Sequence, residues 1–231
     1  MTRTYTIALD GSTYHGSVAI LRDSEVVAER SLLGEEAGRG KREAGRGDAL
    51  MPAIAECLKE VGIKRDQIAR IVCGAGPGSF TSLRVAGSVA KGLAVGYGIE
   101  LYAVSSLLLT VTGARPALPV GEYLSVLDAM RGEYFAARVT LLPDETVIQP
   151  EPTTLVGVEE LMELSKREPL VRVVGPGQRL DFHPHARGVA PLLESVVRGG
   201  PVNLASWEPS YGRLAEAQVR WEAAHGRPLQ A

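Results

Sequence analysis

The residues best suited by type and spacing to do chemistry lie between positions 74 and 81. Gly74-Ala75-Gly76-Pro77-Gly78-Ser79-Phe80-Thr81 follows a short apolar run, Gln67 to Cys73, and leads into a stretch of helical spacing. The glycines let the backbone turn through positive φ, Pro77 fixes its own φ, and Ser79 or Thr81 can accept a hydrogen bond from the first free helix N–H groups. Such an end can hold an anion, which makes Gly78 and Ser79 candidate anion or nucleotide residues. Neither phosphate fingerprint is complete, however. The first lysine downstream is Lys91, too far for a Walker loop, and Gly-x-Gly-x-x-Gly ends on Ser79 when counted from Gly74 and on Thr81 when counted from Gly76. The competing reading is a tight strand-to-helix turn. In the absence of a Gly-x-Ser-x-Gly elbow, Ser79 reads as a helix cap rather than a nucleophile. His183-Pro184-His185 is the one local histidine cluster; zinc would need a third ligand that the sequence does not nominate, so two solvated imidazoles are expected. Cys57 and Cys73 lack Cys-x-x-Cys spacing and read as buried, reduced thiols. No metal site, no cofactor and no catalytic residue is expected.

The elements that position this turn follow from periodicity. After the glycines, Leu83, Ala86, Ala90, Leu93, Ala94 and Tyr97 recur at helical spacing, predicting a helix over 81–97. Gly87, Ala90 and Ala94 form a flat strip beside the polar side Arg84, Ser88 and Lys91. Such a strip suits a close helix crossing, within the chain or with another. An earlier helix opens at Asp48 and carries Leu50, Met51, Ile54, Leu58 and Val61 on one stripe until Gly62 stops it. Strands are expected over 5–10, 15–22 and 25–31 as an antiparallel meander, and over 100–104 after the central helix. Gly113-Ala114-Arg115-Pro116 breaks a short helix over 105–111. The second half repeats the theme with strands over 122–128, 134–141 and 146–149, a helix over 157–167 and a strand over 170–174. Each half opens on a strand that ends in an acid, Asp10 or Asp128. An α/β chain of two related lobes follows, with an N-terminal lobe at 1–103, a C-terminal lobe at 104–207 and a final helix within 208–231, anchored by Trp221, that returns toward the junction.

At 231 residues the chain is long enough for two lobes that each bury a core, and 25 basic against 27 acidic residues leave a formal charge of −2. That balance supplies no general field for nucleic acid. The segment 34–47 repeats Ala-Gly-Arg-Gly at 37 and 44, but nearby acids nearly cancel its basic residues, so a solvated loop is expected there. Met1 to Tyr5 runs straight into a strand and no apolar run approaches membrane-span length, so a cytoplasmic, unexported protein is expected.

Gly76-Pro77-Gly78-Ser79-Phe80-Thr81-Ser82-Leu83-Arg84, followed by Ala90-Lys91-Gly92-Leu93-Ala94, resembles the signature of the bacterial TsaB (YeaZ) family. Ile7-Ala8-Leu9-Asp10-Gly11-Ser12-Thr13, Asp128-Ala129-Met130-Arg131-Gly132-Glu133-Tyr134 and Pro209-Ser210-Tyr211-Gly212-Arg213 resemble further family segments in the same order. The resemblance implies two RNase H-like, actin-like (ASKHA) lobes. In nucleotide-processing members of that class, strand-end carboxylates help hold a metal and phosphates, so Asp10 and Asp128 become a candidate pair, against the plain alternative of Asx turns with Arg131 pairing Asp128. It also implies kinship with TsaD, the catalytic protein that binds metal through a His-x-x-x-His pair. If Ser106 and Thr110 stand at those positions, hydroxyls replace imidazoles and metal binding is lost.

The role implied is a non-catalytic scaffold. It binds TsaD and, with the ATPase TsaE, supports threonylcarbamoyladenosine formation on tRNA, which it meets only through the complex. Without TsaD it forms a homodimer through the same first-lobe helices. Met51, Ile54, Leu58, Leu83, Gly87, Ala90, Lys91 and Ala94 are the expected partner-binding residues. The alternative is an independent actin-like nucleotide-dependent enzyme or an M22-type peptidase. Two segments depart from the family: Arg46-Gly47-Asp48 replaces a His-Ser-Glu, and Ser210-Tyr211-Gly212-Arg213 replaces Leu-Tyr-Leu-Arg.

Overall fold

The computed structural model describes residues 4–32, 49–144, 146–212 and 225. The glycine–arginine loop at 34–47, Asp48 as helix opener and the final helix with Trp221 lie outside the described residues.

Two mixed sheets carry the fold. In the first, β1 (Tyr5–Asp10), β2 (Ser17–Arg22) and β3 (Glu25–Ser31) form the expected antiparallel meander, and β4 (Ile68–Gly74) and β5 (Glu100–Val104) add in parallel to β1, giving the order β3-β2-β1-β4-β5. Both faces of this sheet are covered, which is why β1, β2 and β4 read as nearly continuous apolar runs. Ile7, Leu9, Val18 and Ile20 face α1 (Leu50–Val61) and α2 (Phe80–Tyr97). Ala8, Ala19, Leu21 and Val72 lie against Ala186, Val189, Leu192 and Leu193, from a 3₁₀ segment (Ala186–Leu192) and α5 (Leu193–Arg198) that the sequence reading missed. Gly62 and Gly98 end α1 and α2 in the left-handed conformation, where their N–H groups take up the last carbonyls.

In the second sheet, β6 (Gly121–Asp128) and β7 (Glu133–Leu141) form a hairpin, β10 (Arg172–Val174) joins β6 in parallel, and β8 (Val147–Ile148) and β9 (Thr154–Gly157) both pair with β7. α4 (Val158–Arg167) covers one face through Leu161. The other face receives α3 (Ser106–Thr112), whose Leu107 meets Leu127 and Phe135 while Leu109 meets the first sheet. α3 is therefore the helix the two sheets share, and its first residue sits at the carboxyl ends of β1, β4 and β5. Residues 207–212 cross the outside of α2 and end over the ring of Phe135. Among the described residues no helix is long and apolar enough to cross a membrane.

Candidate functional site

In open α/β sheets the crevice beyond the carboxyl ends of parallel strands is where ligands bind. Here that crevice is closed by the chain itself. Asp10, the last residue of β1, is 0% exposed. Its Oδ1 accepts from the backbone N–H of Ser12 at 3.0 Å and from Ser12 Oγ at 2.7 Å, and its Oδ2 accepts from Ser106 Oγ at 2.6 Å. Ser106 Oγ in turn accepts from the N–H of Gly76 at 3.1 Å. Gly74 ends β4 directly beside the carboxylate, and a Cβ there would overlap Asp10 Oδ2. Burial pushes the Asp10 carboxyl above the usual carboxylate range, opposed by the hydrogen bonds from Ser106 and Ser12.

The glycine loop spends its donors in the same way. Ala75 N–H donates to Val104 O at 2.7 Å, Ser79 N–H to Ser12 O at 2.7 Å, and Ser106 N–H to Gly76 O at 2.9 Å. Gly78 lies so near Ser12 that a Cβ would overlap the Ser12 carbonyl oxygen. With the Gly76 N–H, these bonds bind the loops after β1 and β4 to each other and to α3. Of the candidate anion residues, Asp10 through its carboxylate and Ser79 through its N–H belong to this internal knot, and Gly78 packs against it at Ser12. Ser79 is the N-cap of α2 by position, but its side chain makes no capping bond and its Oγ accepts instead from Ser82 Oγ. Thr110 Oγ1 donates to Ser106 O within α3.

The other candidates are not drawn into the knot. Asp128 is exposed and accepts from Met130 N–H at 2.7 Å, closing the β6–β7 turn in which Met130 and Arg131 adopt positive φ. Among the described residues Asp10 and Asp128 share no partner. The histidines are not the solvated pair expected: His183 stacks on His15 with ring centroids 3.7 Å apart, and His185 is buried, its Nδ1 accepting from Arg187 N–H and its Nε2 3.3 Å from Ser31 Oγ. Burial holds His183 down at about 4 and His185 at about 3. Among the described residues no group of three or more His, Cys, Asp or Glu side chains could hold a metal ion. Cys57 and Cys73 are buried free thiols, and burial pushes both above the usual thiol range.

Both histidines are neutral in the folded protein and protonate in the unfolded chain near the ordinary value of 6.5. Their contribution to stability is therefore present above about pH 6.5 and is lost as pH falls toward 4. Replacing His183 and His185 together by Asn is expected to flatten the fall in melting temperature over that window. An unchanged slope would show that other groups set it.

Most of the expected partner-facing residues lie against the chain's own core. Ile54, Leu83, Ala90 and Ala94 are buried, because the apolar side of each amphipathic helix is the side that covers the sheet, and Leu58 packs partly into the same core. Gly87 is covered too: a Cβ there would lie 3.0 Å from Pro209 Cγ and 3.7 Å from the Trp207 ring. Trp207 and Pro209 thus occupy the surface over Gly87. Met51 remains 47% exposed, and the Lys91 ammonium lies over the Trp207 ring.

Several site residues escaped the sequence reading. Ser12 and Ser210 lie in segments that the resemblance marks, but their bonds are not legible there: Ser12 bonds Asp10, and Ser210 N–H donates to Ala75 O at 2.7 Å. Arg187 reaches Glu29 Oε1 at 3.0 Å and Gly113 O at 2.7 Å, and Arg115 reaches the same carboxylate oxygen at 3.1 Å. These pairings join residues far apart in sequence, and charge spacing gives no signal for them.

A family model described as "TsaD: tRNA N6-adenosine threonylcarbamoyltransferase" matches residues 46–180, more than half of the chain. The tRNA threonylcarbamoyladenosine biosynthesis protein TsaB of Bacillus subtilis is 26% identical over 93% of this chain and 96% of its own length. The chain belongs to the TsaB (YeaZ) family. The family takes part in tRNA threonylcarbamoyladenosine biosynthesis. The TsaB of Escherichia coli is 30% identical over 57% of this chain and 53% of its own, so that match spans about half of each protein. YeaZ from Pseudomonas aeruginosa superposes with a TM-score of 0.72 at 22% identity, covering 90% of this chain and 99% of that one. That likeness concerns the fold.

Proposed function

We propose that the chain is a non-catalytic scaffold in the formation of threonylcarbamoyladenosine next to the tRNA anticodon. It binds the catalytic protein TsaD and works with the ATPase TsaE in the cytoplasm, meeting tRNA only within the complex. The closed knot at Asp10 carries this reading. A carboxylate whose two oxygens take three internal hydrogen bonds, beside a glycine with no room for a substituent, favours a structural part over metal or phosphate binding. Ser106, set by resemblance at a metal-binding histidine position of TsaD, supplies one of those bonds.

Docking uses the exposed sides of α1 and α2, so that TsaD and a second copy of the chain compete for one surface. The division into lobes at 103/104 belongs to the same reading, with residues 186–198 crossing back onto the first sheet. The test is reconstitution from purified TsaD, TsaE, tRNA and the threonylcarbamoyl donor. Product should require this chain, while the chain alone neither hydrolyses ATP nor alters tRNA. Steady ATP turnover by the isolated protein would contradict the scaffold role.

A further inference from the structure

α2 carries one stripe on its outer side, exposed at Phe80, Arg84, Ser88 and Val95 and half-buried at Lys91. Phe80, Arg84, Ser88, Lys91 and Val95 recur at spacings of four, four, three and four, which keeps them on one side of a helix for about 22 Å. Phe80 is 40% and Val95 70% exposed, so the stripe has an apolar residue at each end and a cation inside each. The helix contains no carboxylate. The Arg84 guanidinium sits over the Phe80 ring, 5.0 Å from its centroid, and the Lys91 ammonium 5.8 Å from that of Trp207. Phe80 is itself packed on Tyr211, with centroids 4.6 Å apart. Neither cation makes an ion pair among the described residues. Rings on α2 and on the crossing segment 207–211 thus hold two positive charges about two helical turns apart without neutralising them.

We propose that this stripe receives an acidic amphipathic helix of a partner protein, and that Arg84 and Lys91 select that partner over a second copy of this chain. The inference rests on the docking reading above and adds the chemistry of the occupant. If the stripe met its own copy antiparallel, a two-fold axis between Gly87 and Ser88 would set Phe80 against Val95, which is favourable, and Arg84 against Lys91, which is not. Like charges so opposed weaken an interface that is otherwise self-complementary. A partner helix with carboxylates two turns apart keeps the apolar contacts and replaces repulsion with attraction. A phosphate backbone would satisfy the cations but leave Phe80 and Val95 in water, so the apolar ends favour a protein helix.

Charge reversal separates these cases, because the two associations respond with opposite signs. Arg84→Glu places a carboxylate opposite Lys91 of the second copy, so self-association measured by sedimentation should tighten about tenfold, while calorimetric affinity for TsaD falls about tenfold. Combining Arg84→Glu with Lys91→Glu restores like-charge opposition and should return the dimer to its original weakness. In the unaltered protein, rising salt should weaken TsaD binding and strengthen self-association. The proposal is overturned if the single reversal leaves both affinities unchanged, or if the isolated chain binds tRNA through these two residues. Failure of the unaltered chain to bind TsaD would sink the docking reading instead, and the self-association arm would still test the charge selection. Both side chains lie on the outer side of a formed helix, and unchanged melting would confirm that the variants fold.

Discussion

Asp10→Ala is expected to cost about 3 to 5 kcal/mol of folding stability, because it strands three buried donors at once and opens a cavity among the ends of β1, β4 and α3. The Ser12 N–H, the Ser12 hydroxyl and the Ser106 hydroxyl all lose their acceptor. Urea unfolding with an unchanged slope would measure the loss, and a change below about 1 kcal/mol would show that the knot is dispensable. The pH dependence carries its own sign. Burial raises the folded-state pKa of Asp10, so this group's contribution to stability is fully present below its unfolded value of 3.8 and is lost as pH rises through the higher folded value. Asp10→Asn removes that dependence while keeping the shape. Its direction opposes that of His183 and His185 across the overlapping acid range, so Asp10→Asn and the double histidine replacement should tilt the melting profile in opposite senses.

Gly76→Ala should be nearly as damaging, at about 2 to 5 kcal/mol. Gly76 has φ +88°, which an L side chain rarely adopts, and an added Cβ would overlap the Ser210 carbonyl oxygen and stand 3.0 Å from Leu83 Cδ1. Ser210 N–H is bonded to Ala75 O, so the clash pushes at the point where the crossing segment is fastened. A lowered melting temperature with a shift in tryptophan fluorescence is the expected result, since Trp207 lies three residues before the clash. Melting within a degree or two of the original would mean that the loop and the segment yield freely.

Much of the first sheet was legible because its chemistry is local. Apolar runs and turn residues mark the meander, the glycine run marks the β4–α2 turn, and Gly62 marks the end of α1 by the one conformation that favours it. The second sheet was read less well at its far edge, where β8 has two residues and β9 four, too short for any period to show. Residues 186–198 were missed because Pro191 and the glycines hide a segment whose place is set by burial against β1 and β2. At the site, Asp10, Gly78 and Ser79 stand out by type, but their neighbours do not. Whether a carboxylate beside glycines holds a ligand or a neighbouring loop depends on Ser106, 96 residues away. The small side of α2 was likewise recognised as a packing surface, while its occupant, Trp207 to Pro209, lay beyond the reach of helical spacing.

Formation of threonylcarbamoyladenosine by the reconstituted complex carrying the Asp10→Asn chain tests the scaffold reading most directly. If the carboxylate serves only the internal knot, product should form at close to the rate seen with the unaltered chain, once folding of the variant has been verified by its melting curve. Loss of product with unchanged melting and unchanged TsaD binding would place Asp10 in the chemistry and contradict the account.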